Sequence, residues 1–264
     1  MKDLTKFNEN IWRLQIPYKD IYTTVYTIKT PEGVLLFDAA SFDEDIENYI
    51  IPMLKETKVT AEDLKYVFIS HNHIDHSGGL RSFMKEFPNT CILSRSERIK
   101  NDYEGYNILS PDDNDVFLNV LKFVAIPGHS RDSAGILDTR TNTLISGDSL
   151  QLHGIIGSGD WACNITLVPE HLEALEKVHS LEIDEIITAH DYYPYGFRYS
   201  GKEEISKAID ACIAPLVHIK DIILENPAAD DDEIREIHNA KANLPTVKKG
   251  VVTAVREAMK AGKI

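Results

Sequence analysis

Apolar and polar residues alternate through IWRLQIP (11 to 17) and TTVYTIKT (23 to 30), and GVLLFDAA (33 to 40) is a nearly unbroken apolar run. Period-two alternation marks a half-buried strand, and a short unbroken run marks a strand covered on both faces. Three strands are therefore expected to open the chain. Ser41 followed by Glu44 has capping-box spacing, and Ile46, Ile50, Met53 and Leu54 then recur at helical intervals, which predicts a helix to about residue 58. LKYVFIS (64 to 70) reads as a strand and HNHIDHS as a turn. GGLRSFMKEF (78 to 87) reads as a helix and TCILS (90 to 94) as another strand.

Further strands are expected at VFLNVLKFVAI (116 to 126), SAGILDT (133 to 139), TLISGD (143 to 148) and EIDEIITA (182 to 189), with a turn through 140 to 142. Helical periodicity covers PEHLEALEKVHSL (169 to 181) and then residues 202 to 225, 230 to 241 and 246 to 260. The acidic run AADDDE (228 to 233) reads as a solvated helix start, where negative charge suits the helix dipole.

A chain of 264 residues buries a large core in one domain with a short appendage. The formal net charge of -14 opposes attraction to nucleic-acid phosphates or an anionic membrane surface and favours a small-molecule partner. No apolar run is long enough to cross a bilayer and the start has no leader pattern, so a cytoplasmic protein is expected. Cys91, Cys163 and Cys212 are odd in number and widely spaced, which suggests reduced thiols used in packing.

The stretch HNHIDH (71 to 76) changes the picture. Neutral imidazole and carboxylate are common protein ligands of divalent transition metals. His71 and His73 leave the strand end as alternate residues, while Asp75 and His76 turn toward a second position. Any one of these histidines alone would read as a polar turn residue; the cluster does not. Gly78 and Gly79 are expected to let the backbone turn sharply into the next helix. Three more candidate ligands each end an apolar strand: His129 in IPGHS, Asp148 in ISGDS and His190 in ITAHD.

In these motifs the chain resembles the metallo-β-lactamase superfamily, whose pattern is an Asp ending an early strand, H-x-H-x-D-H, then His, Asp and His. Here the pattern reads Asp38, HNHIDH, His129, Asp148 and His190, over roughly residues 10 to 195. The resemblance implies an α+β fold, a four-layer αββα sandwich with its metal site at one open edge between the sheets. A catalytic domain over residues 1 to 200 and a helical C-terminal extension over 201 to 264 packed on it are then expected. It places His71, His73 and His129 on one metal and Asp75, His76 and His190 on the other, with Asp148 bridging. Asp38 would support the metal loop, and Asp75 and Asp148 would be the catalytic carboxylates. Two divalent transition-metal ions are implied, zinc foremost, with iron or manganese also acceptable to these ligands. A water between two such ions loses its proton near neutrality, and the hydroxide attacks an electrophilic carbonyl.

Departures from individual branches narrow the expectation. The best-known β-lactam-degrading branches replace the bridging carboxylate with cysteine, whereas Asp148 is retained and Cys163 matches no motif. Flavin-linked di-iron oxygen reductases place Glu where His73 stands and append a flavodoxin domain. Nucleases carry basic surfaces. The remaining resemblance is to glyoxalase II-like and lactonase-like hydrolases of thioesters, lactones or small esters, although the residues that hold glutathione find no match in 202 to 264. The alternatives are a mononuclear iron enzyme resembling persulfide dioxygenases and a non-catalytic metal-binding or sensory domain. Loops beside the ligands supply pocket candidates, His153 and Trp161 in 150 to 164 and Tyr193 in 191 to 201. His171, His179, His218 and His238 lie in helical patterns and read as surface or boundary residues. The C-terminal helices would cover the site, form a homodimer contact, or pack on the sandwich.

Overall fold

A computed structural model describes residues 3–152, 154–155, 162–241 and 244–264. The chain packs as two compact units, residues 1–124 with 136–139, and 125–135 with 140–264.

In the first unit, β1 (Leu4–Lys6), β2 (Ile11–Tyr18), β3 (Ile21–Thr30), β4 (Gly33–Phe37), β5 (Leu64–Phe68), β6 (Cys91–Leu93) and β7 (Ile108–Leu109) form a seven-stranded sheet in chain order. The first four strands are antiparallel and β4 to β7 run parallel, so β4 and β5 end at the same edge. Helices α1 (Asp43–Asp45), α2 (Ile51–Glu56), α3 (Ile74–Ser77), α4 (Leu80–Glu86) and α5 (Glu97–Asp102) connect them, with a π-helical turn at Ile46–Ile50. The period-two rule decides the two faces of this sheet. Val34, Leu36 and Val67 join Ile46, Ile50, Met53, Leu80 and Phe83 in a helix-side core. The intervening Phe37 and Phe68 pack at 4.9 Å, and Phe68 meets Phe123 on the other side at 5.9 Å.

A six-stranded sheet has the order β13-β12-β11-β10-β9-β8. Its strands are β8 (Val116–Phe117), β9 (Leu121–Ala125), β10 (Ala134–Asp138), β11 (Thr143–Ile145), β12 (Glu185–Tyr192) and β13 (Gly196–Ser200). In the second unit β11 and β12 are parallel, which brings the segments after Ile145 and Ile187 to one edge. Helices α6 (Val168–Ser180), α7 (Gly201–Glu225), α8 (Asp231–Asn239) and α9 (Lys249–Lys260) share an apolar cluster built on Val168, Leu216, Ile219, Ile234, Val251 and Val255. The acidic run is a helix start: Asp230 accepts from the Asp232 and Glu233 amides, and Glu233 accepts from the Asp230 amide. No described helix is long and apolar enough to cross a membrane.

The structure departs from the sequence pattern at several places. The run 116 to 126 is a hairpin, because Leu118 and Asn119 adopt positive φ and reverse the chain between β8 and β9. The apolar Leu118 and Val120 concealed that turn. Strand β13 lies within the segment 191 to 201 that had shown no pattern, and β1, β7 and α5 are too short to show a period. At the start of α1 the cap is supplied by Asp45, not Glu44: its Oδ2 accepts from the Ser41 and Phe42 amides at 3.1 and 2.9 Å. His171 and His238 are fully buried rather than at the surface.

Gly78 and Gly79 are required for a different reason from the one expected. Both have ordinary negative φ, -65° and -81°. The backbone of residues 38 to 42 lies directly against them, with Ala39 N donating to His76 O at 2.8 Å and Gly78 N to Ala40 O at 3.0 Å. A Cβ at Gly78 would collide with the Ser41 carbonyl, and one at Gly79 with the Ala39 carbonyl. Close approach of two backbones, not turn geometry, selects glycine here.

Two outcomes follow from this packing. Gly78→Ala is expected to destabilise the fold by about 3 kcal/mol or more, because rigid backbone must move to admit the methyl, and urea unfolding measures it. His238 donates from Nε2 to Pro245 O at 2.9 Å, so its Nδ1 accepts from His218 Nδ1, also at 2.9 Å. Burial first, then nearby His218 and Lys241, hold the His238 pKa below 6.5 despite the opposing Pro245 bond. Its contribution to stability is therefore complete above about pH 6.5 and is lost as pH falls, when the unfolded chain takes the proton. His238→Leu should flatten the decline of the urea midpoint between pH 7 and 5; an unchanged slope would contradict the assignment.

Candidate metal centre

Asp38 follows β4 in a left-handed backbone conformation, φ 64°, and is fully buried. Its Oδ1 accepts from Ser70 N at 2.8 Å, and its Oδ2 from Ser70 Oγ at 3.0 Å and from His76 Nδ1 at 2.7 Å. Burial raises the Asp38 pKa from its ordinary value, while the charge and hydrogen bond of His76 and the Ser70 bonds pull it back. Because a carboxylate oxygen accepts, His76 carries its proton on Nδ1 and presents Nε2 as a lone pair. The same logic extends to His71. Ser70 Oγ spends its hydrogen on Asp38 and so accepts from His71 Nδ1 at 3.2 Å. His71 Nε2 is then a lone pair facing His73 Nδ1 at 2.9 Å.

Asp75 sits in the first turn of α3, 7% exposed, with its Oδ2 3.4 Å from His76 Nε2. Thr23 Oγ1 on β3 donates to the Asp75 carbonyl at 2.7 Å, so the loop is tied to the sheet as well as to Asp38. His73 caps the helix and remains partly exposed.

The second unit places His129, Asp148 and His190. His129 follows Gly128, whose φ of +147° admits little but glycine and which packs directly on the ring of His171. His129 Nδ1 donates to the Asn164 carbonyl at 2.9 Å, which again leaves Nε2 as the lone pair. Asp148 lies just beyond β11. His190 lies on β12 where the pairing with β13 shifts register between Ile187 and Tyr192. Such irregularities re-aim side chains. Asp148 Oδ1 is 3.4 Å from His190 Nε2, and Oδ2 is 3.8 Å from His129 Nε2.

Among the described residues, the first unit carries the candidate ligands His71, His73, Asp75 and His76, and the second unit carries His129, Asp148 and His190. Atoms sharing a tetrahedral ion at about 2.0–2.1 Å stand roughly 3.3 Å apart. The 3.4 Å nitrogen–oxygen spacings match that value and exceed a charge-assisted hydrogen bond of about 2.7–2.9 Å. Imidazole and carboxylate at these spacings fit a divalent transition-metal ion.

The pocket candidates fare differently. His153 and Trp161 lie outside the described residues. Tyr193 is half exposed at the turn after β12, its amide donating to Gly154 O at 3.0 Å. Buried Tyr192, not Tyr193, packs edge-on against His190 at 6.1 Å. Sequence reasoning passed over Ser70, Thr23, Gln151 and Asn164, because a residue acting through one side-chain or backbone bond leaves no spacing pattern.

The family model of the metallo-beta-lactamase superfamily matches residues 18–190. A probable hydroxyacylglutathione hydrolase of Schizosaccharomyces pombe is 31% identical over 117 residues, 42% of this chain and 44% of that protein. An atrochrysone carboxyl ACP thioesterase of Emericella nidulans is 27% identical over 135 residues, 50% of this chain and 41% of that protein. This chain thus matches less than half the length of either. A crystal structure of a metallo-beta-lactamase family protein from Thermus thermophilus aligns with TM-score 0.66 at 15% identity, covering 97% of this chain and 95% of that one. That likeness is one of fold, the α+β sandwich of two sheets and flanking helices with further helices at the C-terminus. The family match covers well over half of the chain and runs through every motif residue from Asp38 to His190, and on that ground the chain belongs to the metallo-beta-lactamase superfamily.

Proposed function

We propose that this protein is a metal-dependent hydrolase that uses two divalent transition-metal ions, zinc foremost, to cleave a small ester, thioester or lactone. His71, His73 and His129 would hold one ion, Asp75, His76 and His190 would hold the other, and Asp148 would serve both. The observation that carries this reading is the stance of Asp148, whose two oxygens stand toward different histidines, Oδ2 toward His129 and Oδ1 toward His190. When bound, such ions would supply Lewis acidity and lower the pKa of a coordinated water to about 7. Asp75 and Asp148 offset the closely spaced positive charge. Asp38 and the Asn164 carbonyl hold the imidazole protons of His76 and His129 away from the ions.

A thioester or related acyl substrate is supported by the two named relatives, a thioesterase and a hydroxyacylglutathione hydrolase. The net charge of -14 disfavours a polyanionic substrate. Tyr193 is assigned to the mouth of the substrate pocket, beside Gly154.

Purified protein is expected to hold close to two transition-metal ions per chain, measured by elemental analysis. Chelation should abolish hydrolysis, and added metal should restore it. Activated thioesters or lactones should be cleaved faster than β-lactams or phosphodiesters. One tightly held iron with persulfide-dependent oxygen uptake would overturn the hydrolase reading.

Asp148→Asn keeps the volume but removes the charge that offsets two cations. Metal content should fall toward one ion per chain, and kcat should drop by about a hundredfold or more with a smaller change in KM. Two ions retained with full activity would rule out the bridging role.

A further inference from the structure

We infer that Gln151 is a positioning residue, a side-chain strut that joins the loop carrying Asp148 to the segment at Asn164 that orients His129. It lies three residues beyond Asp148 and is 5% exposed. Its Nε2 donates to the Asp148 carbonyl at 2.7 Å, and its Oε1 accepts from the Asn164 amide at 3.2 Å. The Asn164 carbonyl accepts from His129 Nδ1 at 2.9 Å. One amide side chain thus connects the backbone that carries Asp148 to the backbone that orients His129. The two contacts also fix which end of the amide is which, since a carbonyl only accepts and an N–H only donates.

The surrounding backbone explains why a side chain is used. Beyond β11 the chain leaves the ladder: Gly147 and Leu152 have positive φ, and Ser149 N turns back to Ser146 O. A buried carbonyl at 148 and a partly buried amide at 164 each need a partner, and leaving a buried group unmade costs about 1–3 kcal/mol. Gln151 satisfies both at once. The far side of the strut is also held, because Cys163 N donates to Thr246 O at 2.9 Å, and Thr166 Oγ1 donates to His129 O at 3.1 Å. Distances among metal ligands are sensitive to such outer contacts, whose loss typically costs about 10–100-fold in affinity.

This inference rests on the proposed two-ion site, and its test reads metal binding rather than turnover. Zinc affinity of wild type, Gln151→Met, Gln151→Asn and Ile222→Ala is measured by competition with a chromophoric chelator, alongside urea unfolding of each metal-free protein. Met keeps the approximate volume without polar ends, and Asn keeps the amide but is one methylene too short to span both contacts. Ile222 lies in the helical core and reports the effect of destabilisation alone. Both Gln151 variants are expected to release zinc about 10–100-fold more readily than wild type, with Ile222→Ala within about twofold of wild type. Wild-type affinity in both Gln151 variants would overturn the strut while leaving the two-ion reading intact. So would affinity losses that merely track stability across all three variants. A wild type that binds no zinc would overturn the two-ion reading and the strut with it.

Discussion

The hydrogen bond between Asp38 and His76 is the constraint on which the first ligand set depends. A buried carboxylate is costly to desolvate unless it is paired and its lone pairs are used. Asp38 meets that condition with Ser70 N, Ser70 Oγ and His76 Nδ1. Each contact has a consequence beyond its own energy. The Ser70 bonds set the end of β5, the His76 bond selects the tautomer of a candidate ligand, and the Ser70 hydroxyl passes the same selection to His71. The left-handed backbone of Asp38 and Ala40 brings residues 39 to 41 onto the loop that carries His76, and only glycine at 78 and 79 leaves room for it.

The second unit reaches the same end by other means. His129 is oriented by a backbone carbonyl rather than a carboxylate, and Asp148 is held through its own backbone by Gln151. A carboxylate partner raises the basicity of a coordinating imidazole more than a neutral carbonyl does. His76 is accordingly held by a charged partner and His129 by a neutral one.

Concentrating buried imidazoles and carboxylates works against stability in the absence of a cation, since like charges and desolvation both oppose it. The apolar cores offset that cost. The π-helical turn, α2, α4 and α5 pack on one face of the seven-stranded sheet, while α6 to α9 form a separate cluster around Leu216, Ile219 and Val251. His238, buried between His218 and Pro245, is a polar group whose hydrogen-bond partners are local. The three cysteines are all buried and free, and burial pushes the Cys212 thiol up to about 12, so they behave as packing residues.

The sequence by itself determined the family, the two β-rich halves and the helical end, because these rest on apolar periodicity and on ligand types placed at strand ends. Asp38, His71, His129, Asp148 and His190 were legible for that reason: each places a titratable residue at the end of an apolar run. Short strands escaped because two or three residues carry no period, as at β1 and β7. The Leu118–Asn119 reversal escaped because Asn119, a turn former, sits between the apolar Leu118 and Val120 in what reads as one strand. Only the tertiary structure decided that Gly78 serves close approach rather than a turn, that Asp45 replaces Glu44 at the helix start, and that Gln151 spans 148 and 164. Each of these depends on what a distant or locally folded backbone brings within a few ångströms, and a hydrogen bond or steric contact across the fold leaves no periodic trace along the chain.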